Sequence, residues 1–144
     1  MSATLDSNLL LYASDAASPF HERSREVVEA FARGPRLVYL FWPVLIAYLR
    51  VATHAAVFER PLTPAAAEAN VETLVALPHV RSPGEDARFW DVYREVSANV
   101  VARGNLVPDA HLVALMRQYG VETIWSHDRD FRKFEGISVR DPFA

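Results

Sequence analysis

Three aspartates occupy positions at which an α/β chain gathers acids for chemistry. Asp6 ends a short apolar segment, Met1 to Leu5. Asp128 stands three residues beyond the apolar, β-branched run Val121 to Trp125. Asp109 follows Pro108 in the first turn of a helix that precedes that run. If both runs are neighbouring central strands of a parallel sheet, their carboxyl ends and the start of a helix packed beside them meet at one place, where open α/β sheets bind ligands. Three carboxylates in one pocket repel each other and are costly to ionise without a cation. A hard divalent cation such as magnesium or manganese, which takes oxygen ligands, resolves that cost. Taken singly, each aspartate also has an ordinary role, as a turn or cap residue after a strand or as a partner of a helix dipole. Asp6 fits the ordinary role least, because it terminates an apolar strand near the chain start.

The elements that must position these acids are legible in the apolar pattern. Ser7 and Asn8 are expected to cap a helical turn over Leu9 to Ala13. A helix is expected from Pro19 to Arg33, stopped by Gly34-Pro35. Arg36 to Phe41 reads as strand two, and Pro43 as the first turn of a helix reaching Thr53. Thr63-Pro64 opens an alanine-rich helix to Leu77, and His79 to Arg81 forms a short third strand. Ser82 and Glu85 have capping-box spacing, which predicts a helix from there to Gly104. A further helix spans Pro108 to Tyr119 with Gly120 as its cap. Strand four is Val121 to Trp125, a polar turn or short helix covers Asp128 to Phe134, and Ile137 to Val139 is the last strand. The alternation predicts one domain over residues 1–144, with a parallel sheet covered on both faces and right-handed crossovers.

Composition narrows the classes. With 144 residues, 51% of them hydrophobic and 23% charged, the chain can bury a core and is not of disordered type. It has no cysteine, which excludes disulfides, thiol catalysis and thiolate-ligated zinc. A net charge of −3 does not describe a strongly basic nucleic-acid binder, although a local basic patch is compatible with it. Lys133 is the only lysine, and every other basic side chain apart from histidine is arginine. The apolar stretch Leu37 to Leu49 contains Pro43 and is too short to span a bilayer. No secretion signal is recognisable, and a cytoplasmic location is expected.

The residues around the acids carry a resemblance. Thr4-Leu5-Asp6-Ser7-Asn8-Leu9-Leu10 resembles the opening motif of PIN-domain nucleases. Asn105 to Ala114, with Asp109 opening a helix, is similar to their third motif. Ser126-His127-Asp128-Arg129-Asp130-Phe131 is similar to their fourth. The order and spacing agree nearly end to end. Tyr48-Leu49-Arg50-Val51-Ala52-Thr53 adds a likeness to VapC-type toxins of bacterial toxin–antitoxin pairs. The resemblance implies a PIN-like three-layer α/β/α sandwich with a central parallel sheet and a magnesium-dependent endoribonuclease, with manganese as a substitute ion. It assigns Asp6, Asp109 and Asp128 as catalytic, metal-binding acids, with Asp130 supporting them. Ser126 is read as a hydrogen-bond partner of a metal-bound water and Arg50 as a phosphate contact, together the substrate-binding pair. It further implies a homodimer and a VapB-like antitoxin. The antitoxin's C-terminal segment would lie in a groove along the helices Pro19–Arg33 and Pro43–Thr53.

One departure stands out. The family pattern places a glutamate in the helix after strand two, where this chain has Leu45 or Tyr48, and no acid occurs between Gly34 and Val57. That implies one ion rather than two, or weaker binding. The alternative reading is therefore a PIN-fold module that binds RNA or antitoxin without efficient cleavage. A phosphotransfer enzyme with a nucleophilic aspartate fits poorly, because Asp6 is followed by Ser7-Asn8 rather than by a second acid two residues on. His111 and His127 read as structural, since each is expected to point away from its neighbouring aspartate. His54 reads as a dipole partner at a helix end. Arg129, Arg132 and Lys133 form a small basic cluster beside the fourth motif. Trp42, Phe89, Trp90, Tyr93 and Phe31 read as core or interface.

Overall fold

The computed structural model describes residues 2–144. Five parallel strands form one sheet in the order β3-β2-β1-β4-β5: β1 (Ala3–Leu5), β2 (Val38–Tyr39), β3 (Val80–Arg81), β4 (Thr123–Trp125) and β5 (Ser138–Arg140). The expectation for Met1 lies outside the described residues. Six helices connect the strands: α1 (Ser7–Ser14), α2 (His21–Arg33), α3 (Trp42–Ala52), α4 (Pro64–Val75), α5 (Phe89–Ser97) and α6 (Leu106–Gln118). A short 3-10 turn, Arg129–Lys133, separates β4 from β5.

The strand order reverses between β1 and β4, which pair directly with Leu5 opposite Trp125. Such a switch point opens a crevice at the carboxyl ends of the two strands. The sheet is covered on both faces. Thr4 and Leu5 point to opposite sides, as successive strand residues must, yet both are buried. Leu9 and Leu10 of α1, Val44 and Leu45 of α3, and Val113 and Met116 of α6 complete one continuous core with Phe41, Ile124 and Phe131.

Local chemistry explains most element ends. The Thr63 hydroxyl accepts the Ala66 N–H at 3.1 Å and so caps α4. Gly34 ends α2 at φ +68°, and a Cβ there would meet the His79 ring at 3.0 Å, so a side chain is excluded twice. Several expectations need correction. The cap of α1 is Asp6 itself, not Ser7 or Asn8. Strand two shrinks to Val38–Tyr39 because only those residues find a partner on both sides. The Ser82–Glu85 capping box does not form: α5 starts only at Phe89, and Glu85 instead reaches His111 of α6 at 2.6 Å. The 82–88 segment is held as a loop by that pair and by the Tyr119 hydroxyl donating to the Gly84 carbonyl. Helix α6 begins at Leu106, two residues earlier than the proline suggests, so Asp109 still falls in its first turn. Among the described residues, no helix is long and apolar enough to cross a membrane.

Candidate metal centre

The crevice at the end of β1 and β4 is built from four short segments. The β1–β4 ladder continues one residue past β1, with the Asp6 N–H donating to the Trp125 carbonyl at 3.0 Å. This fixes the Asp6 backbone at the mouth of the sheet. Its Oδ1 accepts the Ser7 N–H at 2.7 Å, and its Oδ2 accepts the Ser126 hydroxyl at 2.8 Å. Ser126 in turn accepts the Asp128 N–H at 2.9 Å and the Asn8 amide at 3.4 Å. One buried hydroxyl therefore ties the end of β1, the first turn of α1 and the turn after β4 together. Asp128 caps the 3-10 turn, its Oδ1 accepting the Asp130 N–H at 2.9 Å.

Asp109 enters from the first turn of α6. Carboxylate oxygens of Asp109, Asp128 and Asp130 lie within 4.8 Å of one another. Asp6 is not in that closest set, because both of its oxygens are turned towards Ser7 and Ser126. It stands beside them, near enough for its charge to act on Asp109. Asp130 is ion-paired to Lys133 at 3.0 Å.

The electrostatics show the strain of this assembly. Burial raises the Asp6 carboxyl above its ordinary value. Hydrogen bonds from Ser126 and Ser7 partly offset that, and the Asp128 charge adds to it. Asp109 is pushed up to about 7, first by burial and then by the charges of Asp128, Asp6 and Asp130. At neutral pH the site is thus short of positive charge. Every donor is a carboxylate oxygen, and Asn8 adds a buried amide oxygen with no hydrogen-bond partner. An all-oxygen, charge-deficient site of this kind fits a hard divalent cation.

The other sequence-predicted residues are distributed unevenly. Ser126 is 1% exposed, and its hydroxyl hydrogen is committed to Asp6. Arg50 is exposed in the last turn of α3 and makes no ion pair or side-chain hydrogen bond among the described residues. The cation whose charge reaches Asp109 is Lys133. Leu45 is fully buried, and Tyr48 is 3% exposed with its hydroxyl bonded to Ser14 at 2.8 Å and Asn70 at 3.0 Å. Both side chains turn to α1 and α4, so neither offers the site a ligand. His54 accepts the Ala56 N–H at 3.0 Å at the end of α3. His111 pairs with Glu85, and His127 with Asp141 at 3.1 Å. The sequence reading missed Asn8 as a site residue. Its signal was the two-residue step from Asp6, which keeps both side chains at the entrance of α1.

Two cavities lie outside the acids. One of about 410 Å³ sits at the amino ends of the strands, lined by Ala3, Val38 and Thr123, and holds no carboxylate. The other, about 360 Å³, is a groove between α1, α2, α3 and α4, lined by Leu10, Val28, Tyr48, Leu62 and Leu74.

The PIN domain family profile matches residues 3–137. Ribonuclease VapC48 of Mycobacterium tuberculosis is 58% identical over 144 residues, covering 100% of this chain and 99% of that protein. Among solved structures, Mycobacterium tuberculosis VapC20, described as a sarcin-ricin loop cleaving toxin, superposes with a TM-score of 0.66 at 19% identity. That match covers 90% of this chain and 92% of VapC20. VapBC2 of Rickettsia felis, solved bound to a promoter DNA fragment, superposes with a TM-score of 0.69 at 12% identity, covering 97% and 98%. Both solved structures share the fold.

Proposed function

We propose that this chain, which belongs to the PIN domain family and is similar along its whole length to a VapC ribonuclease, is a metal-dependent endoribonuclease acting as the toxin of a toxin–antitoxin pair. The observation that carries the reading is the carboxylate set at the switch point, with Asp109 pushed up to about 7 by burial and then by its acidic neighbours. Asp109, Asp128 and Asp130 would hold a magnesium ion, or manganese in its place, with Asp6 beside them. Such an ion, when bound, activates water and neutralises charge on a leaving oxygen.

The chain's own contribution is orientation. Ser126 fixes the rotamer of Asp6 and the backbone of Asp128 through one hydroxyl, so two acids keep their relative position as substrate enters. The Asp128 cap does the same for Asp130. In-line phosphoryl chemistry is mainly positioning plus electrostatics, and no protein nucleophile is required.

The test is cleavage of purified cellular RNA with magnesium or manganese beside an Asp128→Asn control. If no RNA is cut in an Asp128-dependent manner, the nuclease reading fails. A second reading, a binding module with weakened catalysis, is favoured by the burial of Leu45 and Tyr48, which leaves α3 without an acid. Calorimetry with manganese separates the two, because a module that only binds need not take up the ion.

The partner reading follows the same logic. The groove between α1, α2, α3 and α4 is apolar and suits the C-terminal segment of a VapB-like antitoxin. Exposed Trp42, Ile46 and Trp90 supply apolar surface for a homodimer. A cytoplasmic location accords with an RNA substrate.

A further inference from the structure

Four aromatic rings that the sequence scatters along the chain converge beside the acids. Tyr12 comes from α1, Phe20 from the entrance of α2, His127 from the residue before Asp128, and Phe143 from the C-terminal tail. Phe20 and Phe143 have centroids 4.5 Å apart, Phe20 and His127 4.8 Å, His127 and Phe143 5.0 Å, and Tyr12 and Phe20 5.1 Å.

The cluster lies at the edge of the core, against which Phe143 packs. All four residues are partly buried, and the His127 side chain keeps 37% of its surface open. It is nonetheless rigidly assembled. Asp141 receives the His127 ring at 3.1 Å through Oδ2 and the Phe143 N–H at 2.9 Å through Oδ1, so one carboxylate sets two rings. Arg23 of α2 donates to the Pro142 carbonyl at 3.1 Å and pins the tail from the other side.

The cluster adjoins the acids. His127 is bonded in sequence to Asp128, and the Tyr12 phenol is raised by burial and then by the charges of Asp6, Asp128 and Asp141. Arg132 is near enough for its charge to act on Asp141. Partly exposed aromatic rings and an arginine that share Asp141 as a neighbour, at the rim of a site read as handling phosphate, are the elements of a single-strand nucleic-acid surface, in which bases stack and cations meet the backbone.

The geometry points to a base-stacking subsite: Tyr12, Phe20, His127 and Phe143 receive an unpaired base of single-stranded RNA next to the phosphate held at the acids. The rings already touch, so the base stacks against the surface they leave open, foremost at His127, and not between them. The subsite rests on the nuclease reading for its placement beside a scissile phosphate, and it deepens that reading by naming the side chains that take a base there. Stacking tolerates any base, so the subsite selects unpaired structure over sequence.

The experiment uses the purified full chain and a dye-labelled twelve-nucleotide oligoadenylate carrying one 2-aminopurine, with calcium replacing magnesium and RNA integrity checked on a gel. Binding quenches 2-aminopurine, and a twelve-unit abasic ribose-phosphate strand binds at least fivefold more weakly, since one stacked base is worth roughly 5- to 150-fold in affinity. The double variant Tyr12→Leu, Phe143→Leu loses about tenfold in affinity and most of the quenching, while Val101→Ala, at a residue 74% exposed after α5, changes neither. Thermal melting confirms that the variants fold. Equal affinity for the abasic strand, or full quenching and affinity in the folded double variant, overturns the subsite. The abasic comparison needs only the wild type and decides the matter even if the double variant fails to fold. Ring-dependent binding without cleavage in magnesium would leave the subsite standing and remove the nuclease reading instead.

Discussion

Asp109→Asn should stabilise the metal-free protein at pH 8 and destroy its function. The substitution keeps the shape of the side chain and deletes one charge from the acid cluster. In the folded chain this carboxyl is raised from an ordinary value of 3.8 to about 7, by burial and by Asp128, Asp6 and Asp130. A carboxyl raised on folding holds its proton more tightly in the native state than in the unfolded one. Its ionisation therefore opposes folding: the cost is absent below about pH 4, grows as pH rises towards 7, and is complete above that. Each tenfold change in proton affinity corresponds to about 1.4 kcal/mol, so roughly three such factors set a ceiling of about 4 kcal/mol. Asp109 is half-exposed and solvent screens its neighbours, which lowers the expected cost to about 1–2 kcal/mol. For a chain of this size that is a rise in Tm of roughly 3–8 °C at pH 8 in chelator. Near pH 3 the carboxyl is protonated in the folded and the unfolded chain alike, and the difference should nearly vanish. Excess manganese should invert the order, because an ion present at a hundred times its Kd stabilises the wild type by about 2.7 kcal/mol and the variant by less. The assay is thermal melting by circular dichroism at fixed protein concentration, at both pH values, with chelator or manganese. The same shift at both pH values, or destabilisation by the variant at pH 8 in chelator, would refute the electrostatic reasoning.

Other outcomes follow from the same contacts. Ser126→Ala removes the donor to Asp6 and the acceptor for the Asp128 N–H, and should lower stability by about 1–3 kcal/mol and the cleavage rate about tenfold, measured by melting and RNA cleavage. Asp128→Asn should abolish the heat of manganese binding in calorimetry while leaving the circular dichroism spectrum unchanged. Tyr48→Phe leaves the ring in place but strips Ser14 and Asn70 of a shared partner, and should cost about 1–2 kcal/mol in urea unfolding. Leu45→Glu, an attempt to supply the missing acid at that position, should cost at least about 3 kcal/mol, because the side chain is fully enclosed by apolar neighbours.

The sequence by itself determined the sheet and the identity of the acids. Apolar runs bounded by Gly34-Pro35, Thr63-Pro64 and Gly120 marked the elements, since glycine and proline act on the backbone locally and need no tertiary context. The motifs around Asp6, Asp109 and Asp128 were readable for the same reason: each sits at the end of a strand or the start of a helix, and the chain alone sets those positions. Tertiary structure decided where each acid sits. Asp6 stays out of the closest acid set, its second oxygen taken by Ser126, 120 residues away in sequence. Asp130 joins that set because the Asp128 cap folds it back into the crevice. Glu85 had the spacing of a capping residue, yet His111 outcompeted the helix end for its carboxylate, a contact that spacing does not encode. The aromatic cluster was invisible in the same way. Its four rings lie at positions 12, 20, 127 and 143, and only the closing of β1 on β4 and the pinning of the tail by Asp141 and Arg23 bring them to the acids. Local propensity is written in neighbouring residues, whereas a site that works by charge and stacking is made by distance in space, which only the folded chain supplies.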